Sequence, residues 1–319
     1  LSGKWITGAF SDPQHGVLAG QDGSLAVVSA PRIVSSKTPD LGRRPLREIR
    51  LLDGQYGWLV GDGGLVMQTA DAGVSWQGTA GPLPAGISDL FDFRCVATVG
   101  DHVWIAGAPG TLVLHSADQG QSWHLQRTDQ SVPIRAITFT DPDRGWAVGA
   151  LGTILATRDG GRTWRRQRSG GTRVALLGVF SEAKQVPLEL FALQSGEEGY
   201  LGVAEILNRR DVELVETDDA SLEDKAQAAL TAVGASGADQ AWQFPLRQQG
   251  LRLRSEGILA IWDRANDGRG VAMLEERIVR KIRQWRPEVI VTEGAGQFGA
   301  GQFGSHPLAQ LMSQIVLSA

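Results

Sequence analysis

The sequence predicts a partial β-propeller of four-stranded blades over residues 1–170, followed by an α/β domain with a mostly parallel sheet over residues 171–319. Three observations carry this reading. An eight-residue pattern, Ser/Thr-x-Asp-x-Gly-x-Ser/Thr-Trp, occurs three times, at residues 69–76, 116–123 and 157–164. Short apolar stretches broken by glycine precede each copy, giving a module of about 40 residues, the size of a propeller blade. After Ser169-Gly170-Gly171 this rhythm stops and helix-length segments begin.

The octet has the chemistry of a tight hairpin. Its aspartates, Asp71, Asp118 and Asp159, lie 47 and 41 residues apart. Such a side chain can accept hydrogen bonds from backbone N–H groups two residues on and so close a turn locally. Gly73, Gly120 and Gly161 supply a backbone conformation that other residues reach only at a cost. Trp76, Trp123 and Trp164 bury a large ring beside the turn.

The rest of a blade surrounds each octet. Gly57-Trp58-Leu59-Val60-Gly61, Val103-Trp104-Ile105-Ala106-Gly107 and Gly145-Trp146-Ala147-Val148-Gly149 read as short apolar strands. A second strand follows each, at residues 65–67, 112–114 and 154–156, and alternating stretches at 49–52 and 134–139 precede them. With the strand begun by the octet tryptophan, each repeat has four strands. Gly16-Val17-Leu18-Ala19-Gly20 opens a degenerate copy that lacks the octet. Seven of the ten tryptophans fall before residue 170, which predicts that they pack between blades.

Composition narrows the function classes. A net charge of −4 gives no global reason to expect nucleic acid or an anionic membrane surface as partner. No apolar run reaches the length of a membrane span. Cys95 is the single cysteine, which excludes an internal disulfide framework and predicts a small buried hydrophobe. The basic stretches 43–50 and 165–168 read as solvated linkers. The chain opens on Leu1 in mid-pattern and stops at Ala319 inside an apolar helical pattern, so it reads as a fragment.

The octet resembles the Asp-box of sialidase-type (BNR) β-propellers and the repeat of the photosystem II assembly factor family of propellers. That resemblance implies a structural hairpin on the propeller rim, away from any catalytic centre. It points to a binding or scaffolding role, with a protein or carbohydrate ligand at the propeller surface. By analogy with the second family it also points to assembly of a photosystem or another membrane complex. Sialidase chemistry itself is disfavoured, because only Tyr56 and Tyr200 could serve as the tyrosine nucleophile, and Tyr56 sits in a repeat turn.

Beyond residue 171 the period changes. Residues 174–180 form a continuous apolar run, as a buried parallel strand would. Residues 187–207 read as a helix interrupted at 195–199. Residues 221–233 open with Ser221 as N-cap and stop at Gly234. Residues 271–285 read as an amphipathic helix with Leu274, Ile278, Ile282 and Trp285 inward and Glu276, Arg277, Arg280 and Arg283 in water. Pro287 ends it, and residues 289–292 read as a second buried strand.

This half resembles the PIG-L/LmbE family of zinc-dependent de-N-acetylases. The resemblance rests on residues 223–234, on Ile282-Arg283-Gln284-Trp285-Arg286-Pro287-Glu288-Val289-Ile290-Val291-Thr292, and on His306-Pro307. It implies a zinc cofactor and hydrolysis of an N-acetyl group on an amino sugar. The metal-binding motifs of that family are not matched: Ser181-Glu182-Ala183 follows the first strand, and Leu308-Ala309 follows His306-Pro307. A zinc hydrolase needs three protein ligands and an open position for water. The expected reading is a pseudo-enzyme with no metal and no cofactor. Any residual chemistry is assigned to Glu182, Glu293 and His306, on loops expected to meet at the carboxyl edge of the sheet. The tandem Gly-Ala-Gly-Gln-Phe run at residues 294–303 reads as a loop at that edge, since no helix opens directly after it.

Overall fold

The computed structural model describes residues 5–20, 23–42, 44–52, 54–87, 91–171, 173–207, 209–210, 222–246, 255–293 and 308–319. The chain divides into two compact units, residues 1–172 and 173–319.

The first unit contains four antiparallel four-stranded sheets arranged like propeller blades, each a meander in chain order. Blade one is β1 (Trp5–Asp12), β2 (His15–Gly20), β3 (Leu25–Ser29) and β4 (Arg32–Ser35). Blade two is β5 (Leu46–Leu51), β6 (Gly57–Gly61), β7 (Leu65–Thr69) and β8 (Gln77–Gly78). Blade three is β9 (Asp92–Val99), β10 (His102–Ala108), β11 (Leu112–Ser116) and β12 (His124–Arg127). Blade four is β13 (Ile134–Phe139), β14 (Gly145–Gly149), β15 (Ile154–Thr157) and β16 (Arg165–Arg168). The first strands adjoin in the order β1, β5, β9, β13 and form the inner side of the arc. The degenerate first copy is thus a full blade, because alternation alone builds the meander and the octet is not required.

Three apolar cores lie between successive blades. Val17, Leu46, Leu59 and Trp76 pack between blades one and two. Trp58, Phe93, Ile105 and Trp123 pack between two and three, and Trp104, Phe139, Leu155 and Trp164 between three and four. Cys95 is buried in the third core. The basic stretch at 43–50 is no linker: it enters β5, where Arg47 pairs with the buried Asp62. The stretch at 165–168 is the exposed strand β16.

The second unit is an α/β sandwich around a parallel sheet. Its four strands are β17 (Leu176–Phe180), β18 (Gly202–Ile206), β20 (Gly237–Gln240) and β22 (Val289–Thr292), in spatial order β20-β18-β17-β22. Short strands β19 (Arg209–Arg210) and β21 (Pro245–Leu246) pair separately. Helices α1 (Leu188–Phe191, continued as a π-turn over Ala192–Glu197), α2 (Leu222–Ala232), α3 (Ser255–Ala265), α4 (Gly270–Trp285) and α5 (Ala309–Ser318) complete it.

Two readings of this half are corrected. Residues 187–207 are not one helix, since Gly202–Ile206 is a wholly buried strand. An apolar run without alternation does not distinguish a buried strand from a buried helix. Arg277 is not in water: it is buried on α4 beside Lys281 and Gln284. The reason lies across the core. Arg277 Nε donates to Glu205 Oε1 at 2.5 Å, and Lys281 lies 3.3 Å from Glu205 Oε2 and bonds Asp239. Burial pushes the Glu205 carboxyl above its ordinary range against the pull of these two cations.

Candidate functional site

The three octets form the same hairpin. Asp71 Oδ1 accepts the Ser75 N–H at 2.8 Å and its Oδ2 accepts the Ser75 hydroxyl at 2.6 Å. Asp118 does the same with Ser122, at 2.8 and 2.5 Å, and Asp159 with Thr163, at 2.9 and 2.6 Å. The bonds therefore reach four residues on rather than the two expected of a minimal turn, because the glycine's left-handed backbone adds residues to the loop before the accepting N–H returns to the aspartate. The hydroxyl that opens the octet supports the other side: Ser116 Oγ accepts the Gly120 N–H at 2.7 Å and donates to Asp118 at 2.8 Å. These donors draw the Asp118 carboxyl down to about 2. Asp71 and Asp159 also lie low; some burial pushes them up, and the hydroxyl and N–H donors outweigh it.

Each octet glycine has positive φ and sits against the preceding blade. A Cβ on Gly73 would meet Val17 Cγ2 at 2.2 Å, and one on Gly120 would meet Trp58 Cη2 at 2.5 Å. On Gly161 it would meet Gln126 Oε1 at 2.2 Å. The octets thus fasten blade to blade.

The inner strands carry a feature that the sequence reading missed. Leu46, Phe93 and Ile134 pair with the glycine at or next to the end of the second strand of their blade, Gly61, Gly107 and Gly149, and a bulge follows each. The extra residue in that bulge is Arg47, Arg94 or Arg135. Their spacing of 47 and 41 residues is that of the octet aspartates, a signal visible in the sequence once the repeats are aligned. Blade one places Ile6 there. Arg47 grips Asp62 through two bonds of 2.9 and 2.6 Å. Burial raises the Asp62 carboxyl, and Asp92 beside it adds to the rise, while Arg47 and Arg94 oppose it. Arg94 is half-buried and Arg135 exposed. The three arginines therefore occupy equivalent register positions on the inner strands of blades two to four.

The carboxyl edge of the second unit is organised differently. In chain order its strands are arranged third, second, first, fourth, so the direction of winding reverses between β17 and β22. Such a switch point leaves a crevice beyond the strand ends, the general place for ligands in open α/β sheets. Phe180 and Thr292 end their strands on this edge. Next to them the Ser181 N–H donates to Glu293 Oε1. Ser181 Oγ and Glu293 Oε2 are buried and have no hydrogen-bond partner among the described residues. Glu182 follows, half-buried, before the short turn Ala183–Gln185. His306, Ser221 and the tandem Gly-Ala-Gly-Gln-Phe loop lie outside the described residues. Among the described residues no group of three or more His, Cys, Asp or Glu is gathered as metal ligands.

Residues 41–135 match the family model of the photosynthesis system II assembly factor YCF48. The match includes two octets and all three bulge arginines. The Ycf48 assembly lipoprotein of Synechococcus sp. (strain CC9902) is 29% identical over 174 residues, covering 46% of this chain and 51% of the relative. The chloroplastic stability/assembly factor HCF136 of Oryza sativa subsp. japonica is 27% identical over 115 residues, 35% of this chain and 27% of the relative. A solved structure of YCF48 bound to D1 peptide is 30% identical and covers 40% of this chain and 42% of its own, with a TM-score of 0.36. The chain thus spans about half the length of the Synechococcus relative. The YCF48-like repeats confirm the blade reading of the first unit. Neither the family match nor these relatives support the de-N-acetylase resemblance of the second unit or a carbohydrate ligand on the blades. Among the described residues no helix is long and apolar enough to cross a membrane.

Proposed function

We propose that the bladed unit is a protein-binding module that serves the assembly of photosystem II or a related membrane complex, by holding a peptide segment of a client subunit. The observation that carries this is the register position shared by Arg47, Arg94 and Arg135 in blades two to four, inside the YCF48-like region, where Arg135 is exposed. The exposed Arg135 guanidinium suits the carbonyls and carboxylates of an extended peptide, since it offers a fixed fork of donors, whereas the fork of Arg47 is held by Asp62. Similarity to assembly factors, one of which takes a D1 peptide, supports the class of client.

The test is titration calorimetry of the full chain with a D1-derived peptide. Binding is expected, and Arg135→Glu should weaken it at least tenfold while leaving the fold intact, because Arg135 is exposed. Equal affinity in the variant would sink the proposal.

For the second unit, Ser181 Oγ and Glu293 Oε2 support a small ligand that brings hydrogen-bond donors to the switch point. Glucosamine, with an ammonium and several hydroxyls, is the probe. It should raise the thermal midpoint of the wild-type chain, and Glu293→Gln should abolish the shift; a wild-type midpoint that does not move rules this reading out.

A further inference from the structure

Three of the chain's five histidines share one face of blade three. His102 lies two residues before Trp104 on β10, so the two side chains point to the same face. His115 stands opposite Trp104 on β11, and His124 stands opposite His115 on β12. The repeat itself does not ask for them. At the register positions of His115 and His124, blade two carries Gln68 and Gln77, and blade four carries Ala156 and Arg165. The imidazoles are thus an addition of blade three to a frame that the other blades build without them.

His102 Nδ1 and His115 Nε2 are 3.1 Å apart. The two rings are 20° from parallel, and each lies nearly parallel to the Trp104 ring, with centroids at 5.4 and 5.0 Å. Nitrogens 3.1 Å apart, each about 2.0–2.1 Å from one ion, subtend about 100° at it, between the square-planar and tetrahedral angles. Both rings are half-buried and His124 is exposed, so an ion can reach them from water, while Trp104 beside them is buried. Burial, with His102, His124 and Arg162 nearby, lowers His115 to about 4 against the pull of Asp118. That ring is neutral at pH 7, the form in which imidazole binds a metal, so no proton has to leave it. Of the two charged neighbours, Arg162 repels an arriving cation and Asp118 attracts it.

We propose that His102 and His115 bind a divalent first-row transition ion, copper(II) most tightly, with water in the remaining positions and His124 as the adjoining imidazole. Imidazole suits copper, nickel and zinc, and copper(II) heads the order of affinity among the divalent ions. Magnesium and calcium are disfavoured, since they take oxygen ligands. A bound ion ties β10 to β11 beside the octet of blade four, which carries Arg162. The site lies wholly in the first unit, apart from the loops to which the de-N-acetylase resemblance assigned residual chemistry.

Calorimetric titration of the full chain with copper(II) chloride reads the site, together with electron paramagnetic resonance at one equivalent. The wild type is expected to take one copper with hyperfine structure from two nitrogens. His102→Asn and His115→Asn should each weaken that binding at least tenfold and remove the two-nitrogen signature, with unchanged circular dichroism. His102→Gln or His115→Gln replaces a variant that misfolds. His15→Asn is the control and should alter neither readout, since His15 sits in blade one against Asp12. A wild type that takes up no copper, a signature that both variants keep, or one that His15→Asn removes would overturn the proposal.

Discussion

The octet hairpins and the charge cluster of the α/β unit both satisfy buried or crowded polar groups, yet they do so over different distances along the chain. In the hairpins the side-chain partners of each aspartate lie within four residues, as Asp118 shows with Ser116 and Ser122. In the cluster Arg277 meets Glu205 across 72 residues and Lys281 meets Asp239 across 42. The hairpin is a local device that can be copied from blade to blade. The cluster exists only once the helix and sheet have come together, and loss of Arg277 leaves buried Glu205 with Lys281 as its remaining cation.

The sharpest way to break the comparison is therefore in the cluster. Arg277→Met should destabilise the second unit by roughly 3–5 kcal/mol, the cost of leaving a buried charge without its partner. Adding Glu205→Gln should recover much of that loss, because the uncompensated carboxylate is gone. Urea denaturation of the single and double variants measures both. Equal stability of Arg277→Met and wild type would show that the pair is not buried as described.

A smaller effect is expected where a hairpin meets its neighbour. Gly120 has φ +82, and a Cβ would lie 2.5 Å from the Trp58 ring. Gly120→Ala should cost roughly 2–4 kcal/mol, from overpacking and left-handed backbone strain together. Gly100→Ala is the control, with φ +56 and nothing within 4 Å of the added carbon. If both variants lose the same stability, backbone strain alone matters and the octet does not fasten blades.

The smallest effects concern pH, and they separate hairpin from core within one blade. Burial, with His102 beside it, lowers His115 to about 4, so the folded state keeps the ring neutral. Its contribution is complete above the ordinary histidine value of about 6.5 and is lost as pH falls toward 4. The Ser122 and Ser116 donors hold Asp118 near 2. Its contribution is complete above about 3.9 and is lost as pH falls through 2. The thermal midpoint of the first unit should then fall in two stages on acidification. His115→Phe should flatten the upper stage and Asp118→Asn the lower one; variants that leave the profile unchanged would refute the assignments.

Legibility of the site followed the same division. Asp71, Asp118 and Asp159 could be assigned as turn-closing residues because their donors are near in sequence. The arginine row was written in the sequence as a spacing, but it acquires meaning only through the bulges that put Arg47, Arg94 and Arg135 at one register position. Ser181 was passed over because a serine after an apolar strand is ordinary. Its burial and its bond to Glu293 depend on strand β22, more than a hundred residues later.

By itself the sequence determined the blade count of the first unit, the hairpins and their tryptophans, since short-range hydrogen bonds and period-two alternation need no distant partner. It also determined that the second unit would carry parallel strands within residues 174–180 and at 289–292, although only the first is buried: Val289 is exposed and the rest of its strand half-buried. Only the tertiary structure decided that Gly202–Ile206 is a strand and that Arg277 lies inside. Each of those depends on what packs against the residue, and an apolar or charged side chain carries no record of its neighbour until the chain has folded around it.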